Sequence, residues 1–105
     1  MANREESDGE METSQFDWDI ENIGHIAKHN VAPEETEVVI LGDSLDIAFD
    51  VVDGEERWSY LGETNDGRIL WVTITLRGKR MRVVTAFEPD KQWKVFYLEE
   101  TAGLQ

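Results

Sequence analysis

The sequence has no cysteine. Disulfides, thiolate metal sites and cysteine nucleophiles are therefore excluded, which fits a reducing cytoplasm. It has only two prolines, Pro33 and Pro89, and no apolar run of transmembrane length. Its N-terminus lacks the apolar stretch of a secretion signal, so a cytoplasmic protein away from membranes is expected. Cations are also scarce. Ten Lys and Arg stand against 23 Asp and Glu, a formal net charge of −13. Such a chain has no global electrostatic reason to approach a polyanion.

What is present is unevenly placed. Residues 16–67 carry fourteen acids, from Asp17 to Asp66, opposed only by Lys28 and Arg57. Over 68–94 the sign reverses: Arg68, Arg77, Lys79, Arg80, Arg82, Lys91 and Lys94 face only Glu88 and Asp90. An acidic chain has kept one local cationic stretch, and that stretch is the first pointer to function. With 105 residues and 40% apolar content, the chain can bury one core without staples. Residues 1–15 read as a disordered acidic tail, 16–100 as a single domain and 101–105 as a C-terminal tail.

Asp19 is a good helix N-cap with Glu21 in the first turn, and Ile20, Ile23, Ile26 and Ala27 recur at helical spacing. Asn30 is a left-handed stop, and Pro33 opens a second helix with Val38, Val39 and Leu41 as its apolar contacts. From Asp46 the period changes to two, with a turn at Asp53-Gly54. Strands are expected at 57–62, 69–77 and 80–87, and Pro89-Asp90 opens a last helix. The fold class is therefore α+β: a twisted antiparallel sheet with two N-terminal helices and one C-terminal helix, all on one face.

A two-residue Gly78-Lys79 turn of type II′ fixes the register of the last hairpin. It pairs Arg77 with Arg80, Thr75 with Arg82, Thr73 with Val84 and Trp71 with Ala86. The other face then pairs Leu76 with Met81, Ile74 with Val83, Val72 with Thr85 and Leu70 with Phe87, nearly all apolar. A three-residue turn at 65–67 pairs Tyr60 with Val72 and Trp58 with Ile74, and sets Arg57 in line with Thr75 and Arg82. A cationic, partly aromatic strip of Arg57, Arg77, Arg80, Arg82 and Trp71 is expected on the face without helices.

Arginines in a row can grip phosphates and stabilise charge on a pentacoordinate phosphorus, or they can be a solvated sheet face that blunts an edge. His25 and His29, four apart, suit a metal pair, a helix terminus or a general acid–base. No third ligand and no His-Glu-x-x-His pattern accompanies them. Tyr97 could donate a proton or simply pack its ring. No nucleotide-binding motif is present.

Several short motifs occur in a familiar order. Asp17-Trp18-Asp19, Asn22-Ile23, His25-Ile26, Lys28-His29 and Pro33-Glu34-Glu35 are followed by Glu56-Arg57, Leu61-Gly62, Gly67-Arg68, Arg77-Gly78 and Arg82-Val83-Val84-Thr85-Ala86, ending at Tyr97. Over about 16–99 the chain resembles BrnT-like proteins, toxins of type II toxin–antitoxin systems with a RelE-like fold. The resemblance implies a ribonuclease without metal or other cofactor, and a cognate antitoxin that is itself a DNA-binding repressor. It implies catalytic roles for His29, Arg57, Arg82 and Tyr97. Arg68, Trp71, Arg77 and Arg80 become candidates for RNA or partner binding. The chain departs from the family pattern at Phe87, where an arginine is usual, and at Trp93, where a glutamate is usual. Weak or absent cleavage is expected from those two changes, the alternative being a non-catalytic interaction module on the same fold.

Overall fold

The computed structural model describes residues 15–102. The expected N-terminal tail therefore lies, except for Gln15, outside the described residues, as do 103–105. The chain forms helix α1 (Ile20–Ala27), helix α2 (Pro33–Leu41), strands β1 (Leu45–Val52), β2 (Glu55–Glu63), β3 (Ile69–Arg77) and β4 (Arg80–Phe87), and helix α3 (Lys91–Ala102). The four strands make one antiparallel sheet in the order β1-β2-β3-β4. This is the expected α+β fold. Helix α3 continues two residues past the expected domain end at 100.

The turn chemistry acts as the residues dictate. Asp53 (φ 53°) and Gly54 (φ 81°) are both left-handed, as a tight hairpin with the sheet's twist requires. Gly78 (φ 64°) alone is left-handed in the last hairpin, consistent with type II′. Asn30 (φ 61°) reverses the chain after α1. Glu35 reaches back to the Ala32 amide and closes the first turn of α2.

The register matches the expectation from Arg77–Arg80 to Ile74–Val83, and also at Tyr60–Val72 and Trp58–Ile74. Beyond Val83 it does not. A bulge leaves Val84 without a partner, so Thr73 pairs with Thr85, Val72 with Ala86 and Trp71 with Phe87. One extra residue exchanges the faces of everything after it. Small Ala86 enters the core, fully buried, while Thr85 and Phe87 turn to the face of Arg82.

The main core lies between α1, α2 and one sheet face, and includes Ile26, Val31, Val39, Leu70, Val72, Ile74, Val83 and Ala86. A second, smaller core lies on the opposite face, where Tyr97 of α3 meets Leu61 and Ile69, with Leu45, Ile47 and Trp71 against them. The three helices are thus not on one face. The physical reason is that Leu61, Ile69 and Trp71 alternate with the main-core residues and need their own cover. The stripe assigned to α1 is also displaced: Ile20 is 87% and Ile23 40% exposed, while Asn22 and Ile26 face inward. Leu41 is exposed likewise, and Val39 carries the contact of α2.

Candidate functional site: an arginine groove between the first helix and the sheet

Helix α1 is fixed to the sheet by polar bonds as well as by the fully buried Ile26. The Asp19 side chain caps α1, accepting from the amides of Glu21 and Asn22, and the Asn22 side chain returns the contact to the Asp19 amide. The Asn22 amide group also donates to the carbonyls of Asp17 and Val83, tying the helix to edge strand β4. Those directional bonds set the helix phase. They carry His25, three residues on, over β4, where its Nε2 lies 3.1 Å from the Thr85 hydroxyl.

Between α1 and the sheet is a groove of about 240 Å³, lined by Glu21, Asn22, His25, Glu55, Arg57, Arg77, Arg82, Val83 and Val84. Three arginines and one histidine converge there from α1, β2, β3 and β4. The expected open strip is instead a compensated cluster. Arg82 is only 9% exposed; its two terminal nitrogens grip the Asp19 carboxylate at 3.0 and 3.1 Å, with Asp17 at 3.5 Å. Glu55 accepts from Arg57 at 3.0 Å and from Arg77 at 3.2 Å. The Arg82 hydrogen bond, then the Asn22 amide, holds the Asp19 carboxyl below its ordinary range. The bonds from Arg57 and Arg77 do the same for Glu55. Buried hydroxyls pave the sheet beside the groove: Ser59 and Thr73 are 2.7 Å apart, and Thr75 donates to the Glu56 carbonyl.

The other sequence candidates lie elsewhere. His29 is exposed beyond His25, with its ring 5.5 Å from that of His25 and 6.1 Å from that of Phe87. Arg80 is exposed, 3.9 Å from Asp17. Arg68 is held by both oxygens of Glu35 in α2, away from the groove. Tyr97 sits in the second core, where burial, then the charges of Glu63 and Asp43, pushes its phenol pKa up. Trp71 is covered on one side by Phe87, stacked at 5.8 Å, and met edge-on by Trp93 at 5.1 Å. The two departures from the expected charged pattern therefore meet on one ring and form an apolar seam that seats α3. His25 is the groove residue that the sequence candidates passed over in favour of His29. Its signal was the helix phase, readable only if Asn22 is taken as the inward residue.

No curated protein matches the chain at a significant level. A family model does: that of BrnT, the ribonuclease toxin of type II toxin–antitoxin systems, over residues 18–92. The match spans α1, α2, the whole sheet and the start of α3, and so contains every side chain of the groove. The chain belongs to the BrnT family of ribonuclease toxins of type II toxin–antitoxin systems.

Proposed function

We propose that the groove holds an RNA phosphate and that cleavage proceeds by attack of the adjacent ribose 2′-hydroxyl. The observation that carries this reading is the convergence of Arg57, Arg77, Arg82 and His25 on one cavity. Attack by the 2′-oxygen forms a bond to phosphorus and expels the 5′-oxygen of the next nucleotide. The transition state gathers negative charge on the phosphoryl oxygens, which guanidinium groups stabilise in the manner of an oxyanion hole. The proton leaves the 2′-hydroxyl and one must reach the leaving oxygen. His25 lies in the groove for one of these transfers, since imidazole readily takes and gives a proton near neutrality. Side-chain cations supply the charge stabilisation, so the reaction is metal-independent.

RNA has to displace Glu55 and Asp19, whose carboxylates occupy the arginine donors that phosphate oxygens would use. Cleavage is accordingly slow. As a type II toxin the protein has an antitoxin partner. We place both RNA and antitoxin in the cytoplasm, and assign the antitoxin the DNA-binding role. End-group analysis of RNA incubated with the protein in EDTA tests the chemistry. It should give 2′,3′-cyclic phosphate and 5′-hydroxyl ends. Products bearing 5′-phosphate would refute it.

A further inference from the structure

Helices α1 and α2 cover only part of the main-core face of the sheet. At the end beyond them, Phe49, Val51 and Leu76 are 55%, 53% and 52% exposed. They are not scattered. Phe49 pairs with Trp58, their rings 5.5 Å apart, and Trp58 pairs in turn with Ile74. Val51 lies two residues along on the same face as Phe49, and Leu76 two residues beyond Ile74. An open cavity of about 520 Å³ runs over this area, lined by Val51, Asp53, Gly54, Glu55, Glu56, Trp58, Thr75 and Leu76. Among the described residues its lining thus has three carboxylates and no cation. Monomeric proteins rarely leave a contiguous aromatic and aliphatic sheet face in water, and such faces mark interaction sites.

Charge decides what fits. A second copy docking by two-fold symmetry would bring Asp53 and Glu56 of both chains together, in a protein already at −13. A nucleic acid would meet the same carboxylates, while Arg57 and Arg77, beside this rim, are paired with Glu55. We infer that this surface docks a basic, apolar segment of the antitoxin: two or three large apolar side chains set over Phe49, Trp58 and Leu76, flanked by Lys or Arg against the acidic rim. The inference rests on the family's antitoxin partnership. It puts the main anchor on the face opposite the arginine groove, with Glu55 on the rim of both.

The test uses the protein with residues 1–105 and its purified antitoxin, sought as the product of a neighbouring gene that relieves growth arrest on induction of the toxin. Affinity is measured for wild type, Phe49→Ser, Leu76→Ser and Glu56→Lys at two salt concentrations. Truncating an interface anchor commonly weakens binding by about thirtyfold or more, and that loss is expected at Phe49 and Leu76. Glu56→Lys should weaken binding and flatten its salt dependence. Because Phe49 and Leu76 are half exposed, both variants should stay folded at the assay temperature, with a modestly lower unfolding midpoint, and keep wild-type RNA cleavage. Affinities within threefold of wild type for both serine variants would overturn the inference while leaving the antitoxin partnership intact. Wild-type dimers that dissociate on Phe49→Ser would overturn it in favour of a second copy. A neighbouring product that fails to bind wild type would overturn the partnership itself and the inference with it.

Discussion

At the scale of single residues, Asp19 has two roles that can be separated. It caps α1 and it neutralises Arg82. Asparagine is as good an N-cap as aspartate but carries no charge. Asp19→Asn should therefore keep the helix in place while removing the nearest carboxylate from Arg82, with Asp17 still 3.5 Å away. Cleavage of a fluorescent single-stranded RNA is expected to rise about five- to tenfold, the effect of removing one charge a few ångströms from the reacting phosphate. An unchanged rate would mean that the carboxylate does not compete with RNA. Phe87 gives a second case. The bulge at Val84 turns it onto the groove face, beside His29 and Trp71. Phe87→Arg should lose about 1–2 kcal/mol of stability with the Trp71 stacking, yet raise cleavage by placing a further cation near the phosphate. Chemical denaturation and the same RNA assay measure the two effects independently.

At the scale of elements, the contact of α2 with the sheet depends on Gly62. A Cβ built there would lie 2.7 Å from Cγ1 of Val39, inside van der Waals contact. Gly62→Ala should push α2 off β2 and cost about 1–3 kcal/mol in chemical denaturation, as overpacking of a core usually does. A stability equal to wild type would show that the helix yields freely. The sequence carried the elements, the β2–β3 register and the β3–β4 register as far as Val83, because left-handed turn residues and strict alternation leave few choices. It did not carry the bulge, since Val83-Val84 fits either face and only the packing of Ala86 and the Trp71–Phe87 stack selects one. The helix phase was hidden for a related reason. Hydrophobicity favoured Ile20 and Ile23, whereas four hydrogen bonds of Asp19 and Asn22 hold the polar side inward. The two arginines Arg57 and Arg82 were legible from register alone; the pairing of Arg82 with Asp19 was not, because charge partners across 63 residues leave no local pattern, whereas the Glu55 partner of Arg57 stands two residues away on the same strand face.

At the scale of the whole molecule, acidity works in two directions. Asp19 and Glu55 are held below their ordinary values of 3.8 and 4.5 by their arginines. For Glu35, burial pushes upward, but the Ala32 amide and Arg68 more than offset it. Groups depressed on folding stabilise the protein above their unfolded pKa, and that stabilisation is lost as pH falls through the folded one. Self-repulsion in a chain at −13 eases over the same descent. Stability should thus be greatest near pH 5 and decline below about pH 4, as the paired carboxylates begin to protonate. A melting temperature that kept rising below pH 4 would show that repulsion outweighs the ion pairs.

The groove itself is tested most directly by single-turnover cleavage of single-stranded RNA in EDTA, comparing wild type with Arg57→Gln and His25→Ala. Both side chains are at least partly exposed, so neither change should unfold the protein. Losing one group that acts in the transition state should slow cleavage about a hundredfold or more in each variant. Rates within threefold of wild type in both would contradict the assignment of the groove as the catalytic site.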